Sequence, residues 1–160
     1  MTDQPVDDQP VGEHGRIVVG VDGSPASQEA LRWALDEGRR RDAVVEAVMA
    51  WTYPPLTYAP LLVGPPTFAH DDFEESARAE LDAAIEAVLA GKGEPERFER
   101  AVVEGSATHV LLELARRADL LVVGYRGKGG FRDLLLGSVA HQCAAHSECP
   151  VVIVRGPARR

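Results

Sequence analysis

Runs of apolar residues alternate with stretches in which apolar positions recur every three or four residues, and this alternation predicts the elements. Arg16-Ile-Val-Val-Gly-Val-Asp22 is a β-branched run that stops at the turn signal Asp22-Gly23. Ser24-Pro25 follows as a helix start, with serine placed to cap and proline at the first helical position, where a missing N–H costs nothing. Ser27, Ala30, Leu31, Ala34 and Leu35 then repeat at helical spacing. A second apolar run, Ala43 to Trp51, gives way to the proline-rich stretch Tyr53-Pro-Pro through Pro65-Pro66, which reads as a long loop because neither a helix nor a central strand tolerates it. Phe73, Ala77, Leu81, Ala84, Ile85, Val88 and Leu89 mark a second amphipathic helix, ended by Gly91 and Gly93.

The second half repeats the scheme. Phe98 to Glu104 predicts a third strand, Gly105-Ser106 a turn and cap, and Val110, Leu111, Leu114 and Ala115 a third helix. Leu120-Leu-Val-Val-Gly124 is apolar throughout, as befits a parallel strand covered on both faces. A glycine-rich loop, a short helix from about Ser138 and a last strand, Val151-Val-Ile-Val154, complete the chain. Strands alternating with helices predict an α/β domain with a parallel sheet and helices on both faces.

Composition narrows the class. Of 160 residues, 45% are hydrophobic, enough for one folded domain of ordinary size. Met1 to Gly15 differ: Asp3, Asp7, Asp8 and Glu13 with Pro5 and Pro10 predict a disordered acidic leader, and no basic start or apolar run makes it a signal peptide. Residues 156–160 read as a basic tail. Apolar runs fall far short of the ~20 residues that cross a bilayer. The net charge of −8 predicts no general affinity for nucleic acid. Cys143 and Cys149 have neither redox-pair nor zinc spacing. Free buried or half-buried thiols in a reducing cytoplasm are the favoured reading, and a redox switch is the outside one. His14, His70, His109, His141 and His146 show no ligand spacing and are expected to be structural or exposed.

The chemistry is concentrated in Gly124-Tyr-Arg-Gly127-Lys-Gly-Gly-Phe-Arg-Asp-Leu-Leu-Leu-Gly137-Ser138, between a buried strand and a helix start. Gly127, Gly129 and Gly130 are expected to adopt φ > 0 and turn N–H groups toward a ligand. Gly137 and Ser138 place amides and a hydroxyl at the positive end of the last helix, which favours an anion. Arg126, Lys128 and Arg132 add positive charge, with Arg126 the favoured phosphate contact. No GxxxxGK[ST] loop occurs, and Arg132 stands where a dinucleotide fingerprint needs glycine.

The segment fits Gly-x2-Gly-x9-Gly-[Ser/Thr] through Gly124, Gly127, Gly137 and Ser138, and so resembles the nucleotide-binding signature of the ATP-binding universal stress proteins. Ile17-Val-Val-Gly-Val-Asp-Gly-Ser24, Ala118-Asp-Leu-Leu-Val-Val-Gly124 and Cys149-Pro-Val-Val-Ile-Val154 resemble that family's first, fourth and last strands, so the likeness covers Arg16 to Arg155. Tyr125 stands where serine is common and Asp133 where a small residue is common.

The resemblance implies an open, Rossmann-like five-stranded parallel sheet of order 3-2-1-4-5. It implies ribose and base near Asp22 and Gly124, and adenine against the backbone at Met49-Ala50. It places phosphates on the main-chain N–H groups of Gly127, Gly137, Ser138 and Val139, with the Ser138 hydroxyl helping. Asp22 is expected to accept hydrogen bonds from sugar hydroxyls or nearby groups. The cofactor implied is ATP or another adenine nucleotide, with Mg²⁺ held through its phosphates. The partner implied is a second copy, joined through the apolar edge strand Val151, Val152, Ile153 and Val154.

Three functions remain open at this point. A regulatory nucleotide binder with at most slow hydrolysis leads, because no general base is evident apart from Asp133. An adenylating or ATP-hydrolysing enzyme would need the Tyr53–Phe68 loop for its substrate pocket. A dimeric interaction module would leave the glycine loop empty.

Overall fold

In the computed structural model, residues 14–53, 70–129 and 136–156 are described, and the following concerns these. Five strands, β1 (Arg16–Gly20), β2 (Val44–Trp51), β3 (Phe98–Glu104), β4 (Leu120–Gly124) and β5 (Val151–Val154), alternate with four helices. These are α1 (Pro25–Arg41), α2 (His70–Leu89), α3 (Ala107–Ala115) and α4 (Ser138–His146). All neighbouring strands run parallel in the order β3-β2-β1-β4-β5, the order the resemblance implied. The acidic leader expected over 1–15 and the tail over 156–160 fall almost wholly outside the described residues, as does most of the proline-rich loop.

Register follows from the alternation of side chains across the pleat. Ile17 pairs with Val45 on one side and Leu120 on the other. Ile17, Val19, Leu120 and Val122 therefore face one way, against Leu31 of α1 and Leu81 and Ile85 of α2. Val18, Val48, Leu121 and Val123 face the other way, against Leu111 of α3 and Cys143 of α4. Both faces are dry, which is why β1 and β4 read as unbroken apolar runs. Each fully buried leucine or isoleucine contributes about 1.5–3 kcal/mol relative to exposure.

Local chemistry sets the helix ends. Ser24 Oγ accepts from the Ser27 N–H at 3.2 Å to cap α1, with Pro25 behind it as the sequence predicts. Ser106 caps α3 in the same way through His109 N–H at 3.4 Å. Beyond α2, Ala90, Gly91 and Gly93 all take positive φ, so the helix cannot continue. Gly38 lies on the buried face of α1, where a methyl would overlap Val45 Cγ2. Its absence lets the helix close onto β2. No helix among the described residues is long and apolar enough to cross a membrane.

This topology creates a crevice. The chain leaving β1 turns to α1 on one face of the sheet, while the chain leaving β4 leads to α4 on the other. Between the two diverging connections the described residues leave a space beyond the strand ends, where ligands of open α/β sheets bind.

Candidate functional site

The crevice is a cleft of ≈ 470 Å³, within the usual range for small-molecule sites of about 300–1,000 Å³. Its floor is the carboxyl ends of β1 and β4. Val21, Val48, Ala50, Leu111 and Val123 make one part apolar, suited to a flat base. Asp22, Gly127 and Ser138 gather in the polar part. Eight residues singled out from the sequence line it, Asp22, Ala50, Gly124, Arg126, Gly127, Gly137, Ser138 and Val139, whereas Met49, expected beside Ala50, is buried in the core.

The glycines act through the room they leave. A Cβ on Gly124 would lie 2.8 Å from the Ala26 carbonyl carbon and 2.9 Å from the Ser27 nitrogen, so the first turn of α1 rests directly on the end of β4. A Cβ on Gly127 would collide with Asp22 Oδ2. One on Gly137 would press on Tyr125 O at 3.1 Å and Arg126 Cα at 3.2 Å. The expectation of φ > 0 at Gly127 and Gly129 is not met, since the described glycines with positive φ are Gly23, Gly91, Gly93 and Gly105. The loop turns without left-handed residues there. Its requirement is close approach to Asp22, and Gly129 faces open space. Gly130, Arg132 and Asp133 lie outside the described residues.

Asp22 is the knot of the site. Its Oδ1 accepts the Ser24 N–H at 3.0 Å, closing the β1–α1 turn, and its Oδ2 accepts the Lys128 N–H at 2.8 Å, tying the glycine loop to that turn. Burial alone would push its carboxyl upward. Hydrogen bonds from Ser24, from the Lys128 amide and from Ser27 outweigh burial and hold it below the usual carboxylate range. The carboxylate is thus charged at neutral pH, and of its two expected kinds of partner, the nearby groups are present. Ser27, 3% exposed, adds a second tie: its Oγ donates to Ser24 O at 2.9 Å and accepts the Asp22 N–H at 3.3 Å. The helical period accounts for Ser27 only as one of its steps. A serine in an otherwise apolar stripe was the available signal for its role.

The start of α4 differs from the other capped helices. Its N-cap is Gly137, which offers no side-chain hydrogen bond, whereas α1 and α3 each have a capping serine. Among the described residues, the first α4 amide with a carbonyl partner is that of His141, bonded to Gly137 O at 2.9 Å. The Ser138 and Val139 amides precede it, at the positive end of the helix dipole and on the cleft wall. The Gly137 amide does not belong with them. It donates to Tyr125 O at 2.9 Å, which locks the helix start to the beginning of the loop. The expected phosphate contact from that N–H is therefore corrected: the amide is already taken by Tyr125 O, and Gly137 permits close packing.

Tyr125, one of the two departures from the family pattern, has Arg126 Cζ 5.4 Å and Arg155 Cζ 4.8 Å from its ring centre. It stitches β4 to β5 through its N–H to Val154 O at 2.7 Å. Trp51 is buried, and Trp33 and Phe73 pack against the same core. Cys143 is buried and its thiol is pushed up to about 11 by burial and by the neighbouring Cys149, so it is neutral at pH 7. Among the described residues no three His, Cys, Asp or Glu side chains group to hold a metal ion.

Residues 13–155 match the profile of the universal stress protein family. A universal stress protein of Mycolicibacterium smegmatis is 37% identical over 148 residues, covering 87% of this chain and 45% of the relative. One from Mycobacterium tuberculosis is 34% identical over 151 residues, covering 90% and 45% respectively. The chain spans about half the length of these curated relatives. Among solved structures, a universal stress protein in complex with cAMP is similar with a TM-score of 0.66 at 27% identity, covering 90% of this chain and 99% of that one. A universal stress protein from Lactobacillus plantarum has the same fold at a TM-score of 0.66 and 21% identity, covering 89% and 98%. On the match of residues 13–155, which takes in every strand and helix described above, this chain belongs to the universal stress protein family.

Proposed function

We propose that the chain is a regulatory protein that binds an adenine nucleotide, with ATP the preferred ligand, in the cleft between β1 and β4. The observation that carries this is the pairing of an apolar slot with helix amides at Ser138 and Val139 that no described residue caps. A nucleobase needs the first and a phosphate the second. The related structure in complex with cAMP, at 27% identity, supports an adenine nucleotide as the class. Adenine lies along the Val48–Ala50 edge, ribose near Asp22 and Gly124, and phosphates on the Ser138 and Val139 amides with the Ser138 hydroxyl and Arg126 beside them. Mg²⁺ enters only with a polyphosphate, held by its oxygens.

The protein binds rather than turns over. Asp22 is the carboxylate among the described lining residues, and against the upward push of burial the hydrogen bonds that tie it to the Ser24 and Lys128 amides hold its pKa low, which makes it a weak general base. Hydrolysis is accordingly slow or nil. The partner is a second copy, docked along β5. That strand is at the sheet edge, and its residues Val151, Val152, Ile153 and Val154 are only half-buried. The protein works in the cytoplasm, where its two thiols stay reduced.

Isothermal calorimetry with ATP, AMP and cyclic AMP, paired with an ATP-turnover assay, tests this reading. Saturable binding of at least one of them with no sustained turnover is expected. Absence of binding by all three contradicts it, and steady release of ADP or AMP makes the protein an enzyme.

A further inference from the structure

Lys128 is held at both ends. Its N–H is fixed to Asp22 Oδ2 at 2.8 Å, so its Cα stands in the cleft wall. Its side chain leaves that wall, crosses the β1–α1 turn and ion-pairs with Glu80 of α2. The crossing point is Gly23, held at φ +77°. A Cβ there would lie 3.2 Å from Lys128 Cε and Nζ and 3.1 Å from Glu80 Oε1. The turn is therefore a trough through which the pair meets. Glu80 flanks the buried stripe of α2 beside Ala77 and Ala84, but its side chain is about half exposed, and neither helical periodicity nor the loop pattern brings it into the site.

We infer that Glu80 and Lys128 form a counter-ion switch that sets how steeply the cleft's affinity rises with the number of phosphates on its ligand. The inference rests on the nucleotide reading above. Both side chains are about half exposed, at 53% for Lys128 and 44% for Glu80, and an ion pair in that setting is weak. A phosphate chain in the cleft competes for the same ammonium through charge-assisted bonds, and its pull grows with its charge, while the pull of Glu80 does not. A monophosphate leaves Lys128 on Glu80. A triphosphate draws it into the cleft and leaves Glu80 without its cation. Glu80 thereby lowers the advantage of the triphosphate, and Lys128 supplies it.

Calorimetric titration of wild type, Glu80→Gln, Lys128→Gln and the double variant with AMP and with ATP, at fixed Mg²⁺ and salt, separates the outcomes. The exposed positions allow each variant to fold, and circular dichroism checks that it has. The ratio of ATP to AMP affinity is expected to rise about threefold to fivefold in Glu80→Gln and to fall by a similar factor in Lys128→Gln. In the double variant it should match Lys128→Gln alone, since Glu80 acts only through the lysine. An unchanged ratio in Glu80→Gln overturns the switch, as does an equal loss for both ligands in Lys128→Gln, which would make the pair a plain brace. If wild type binds neither nucleotide, the nucleotide reading falls and this inference falls with it.

Discussion

Gly127→Ala is the substitution whose consequence can be worked most fully from the structure. The new methyl would overlap Asp22 Oδ2, the oxygen that accepts the Lys128 N–H at 2.8 Å. The aspartate must swing away or the loop must retreat, and either movement breaks that bond. A hydrogen bond to a charged group contributes about 1.5–3 kcal/mol. Alanine also stiffens the unfolded chain, which returns about 0.4–1 kcal/mol where its φ is acceptable, as it is here. Gly129→Ala receives the same entropic gain and meets no atom of the described residues within 4 Å. The difference between the two variants isolates the contact, and urea unfolding at pH 7 should place Gly127→Ala about 1.5–3 kcal/mol below Gly129→Ala.

Acid adds a second reading of the same pair. Asp22 has a depressed pKa in the fold, so its stabilisation is present above the ordinary carboxylate value of about 3.9 and is lost as pH falls through the lower folded value. The gap between the two variants should therefore hold from pH 7 to about pH 4 and narrow only below that. Equal stabilities at pH 7, or a gap indifferent to acid, would show that Asp22 does not hold the loop.

Three further outcomes follow from single residues. Ser24→Ala removes the α1 cap and should cost about 0.5–2 kcal/mol in chemical unfolding, whereas a loss under ~0.3 kcal/mol would deny the cap a role. His70, hydrogen-bonded to Glu104 at 3.0 Å, has its pKa raised by that bond. By NMR it should titrate above the ordinary value of about 6.5 and drop in Glu104→Gln, its stabilising effect being present below 6.5 and lost as pH climbs through the raised value. Cys143, neutral and buried, should resist a thiol reagent in native protein at pH 8 and react on unfolding. Prompt native labelling at Cys143 would contradict its burial.

How much of this was legible in the sequence depends on the range of the interaction. β3, β4 and β5 have the expected limits because each apolar run is bounded by a glycine, an acidic residue or a proline. The first strand stops at Gly20 rather than Asp22: Val21 makes a last bond across to β2 through Val48 O, and the Asp22 N–H already turns away to Ser27 Oγ. The buried positions of α1 follow the period of its apolar residues. The cleft could be placed because a strand end, a glycine loop and a helix start are consecutive in the chain. Contacts between distant segments were not legible. Periodicity says which face of α2 is buried, but not that Glu80 meets Lys128 across the β1–α1 turn. A spacing rule for Gly137 does not reveal that its amide is taken by Tyr125 O. Nor does a glycine reveal whether it serves φ or room, which only its neighbours in space decide.

The central claim is that the Ser138 and Val139 amides receive the ligand's phosphate. Backbone-amide NMR during an AMP titration tests it most directly. Ser138 and Val139 should show the largest shifts, with Gly127 next and the far edge at β3 unmoved. Saturation by AMP that leaves those two amides in place, with its shifts centred elsewhere, would contradict the account.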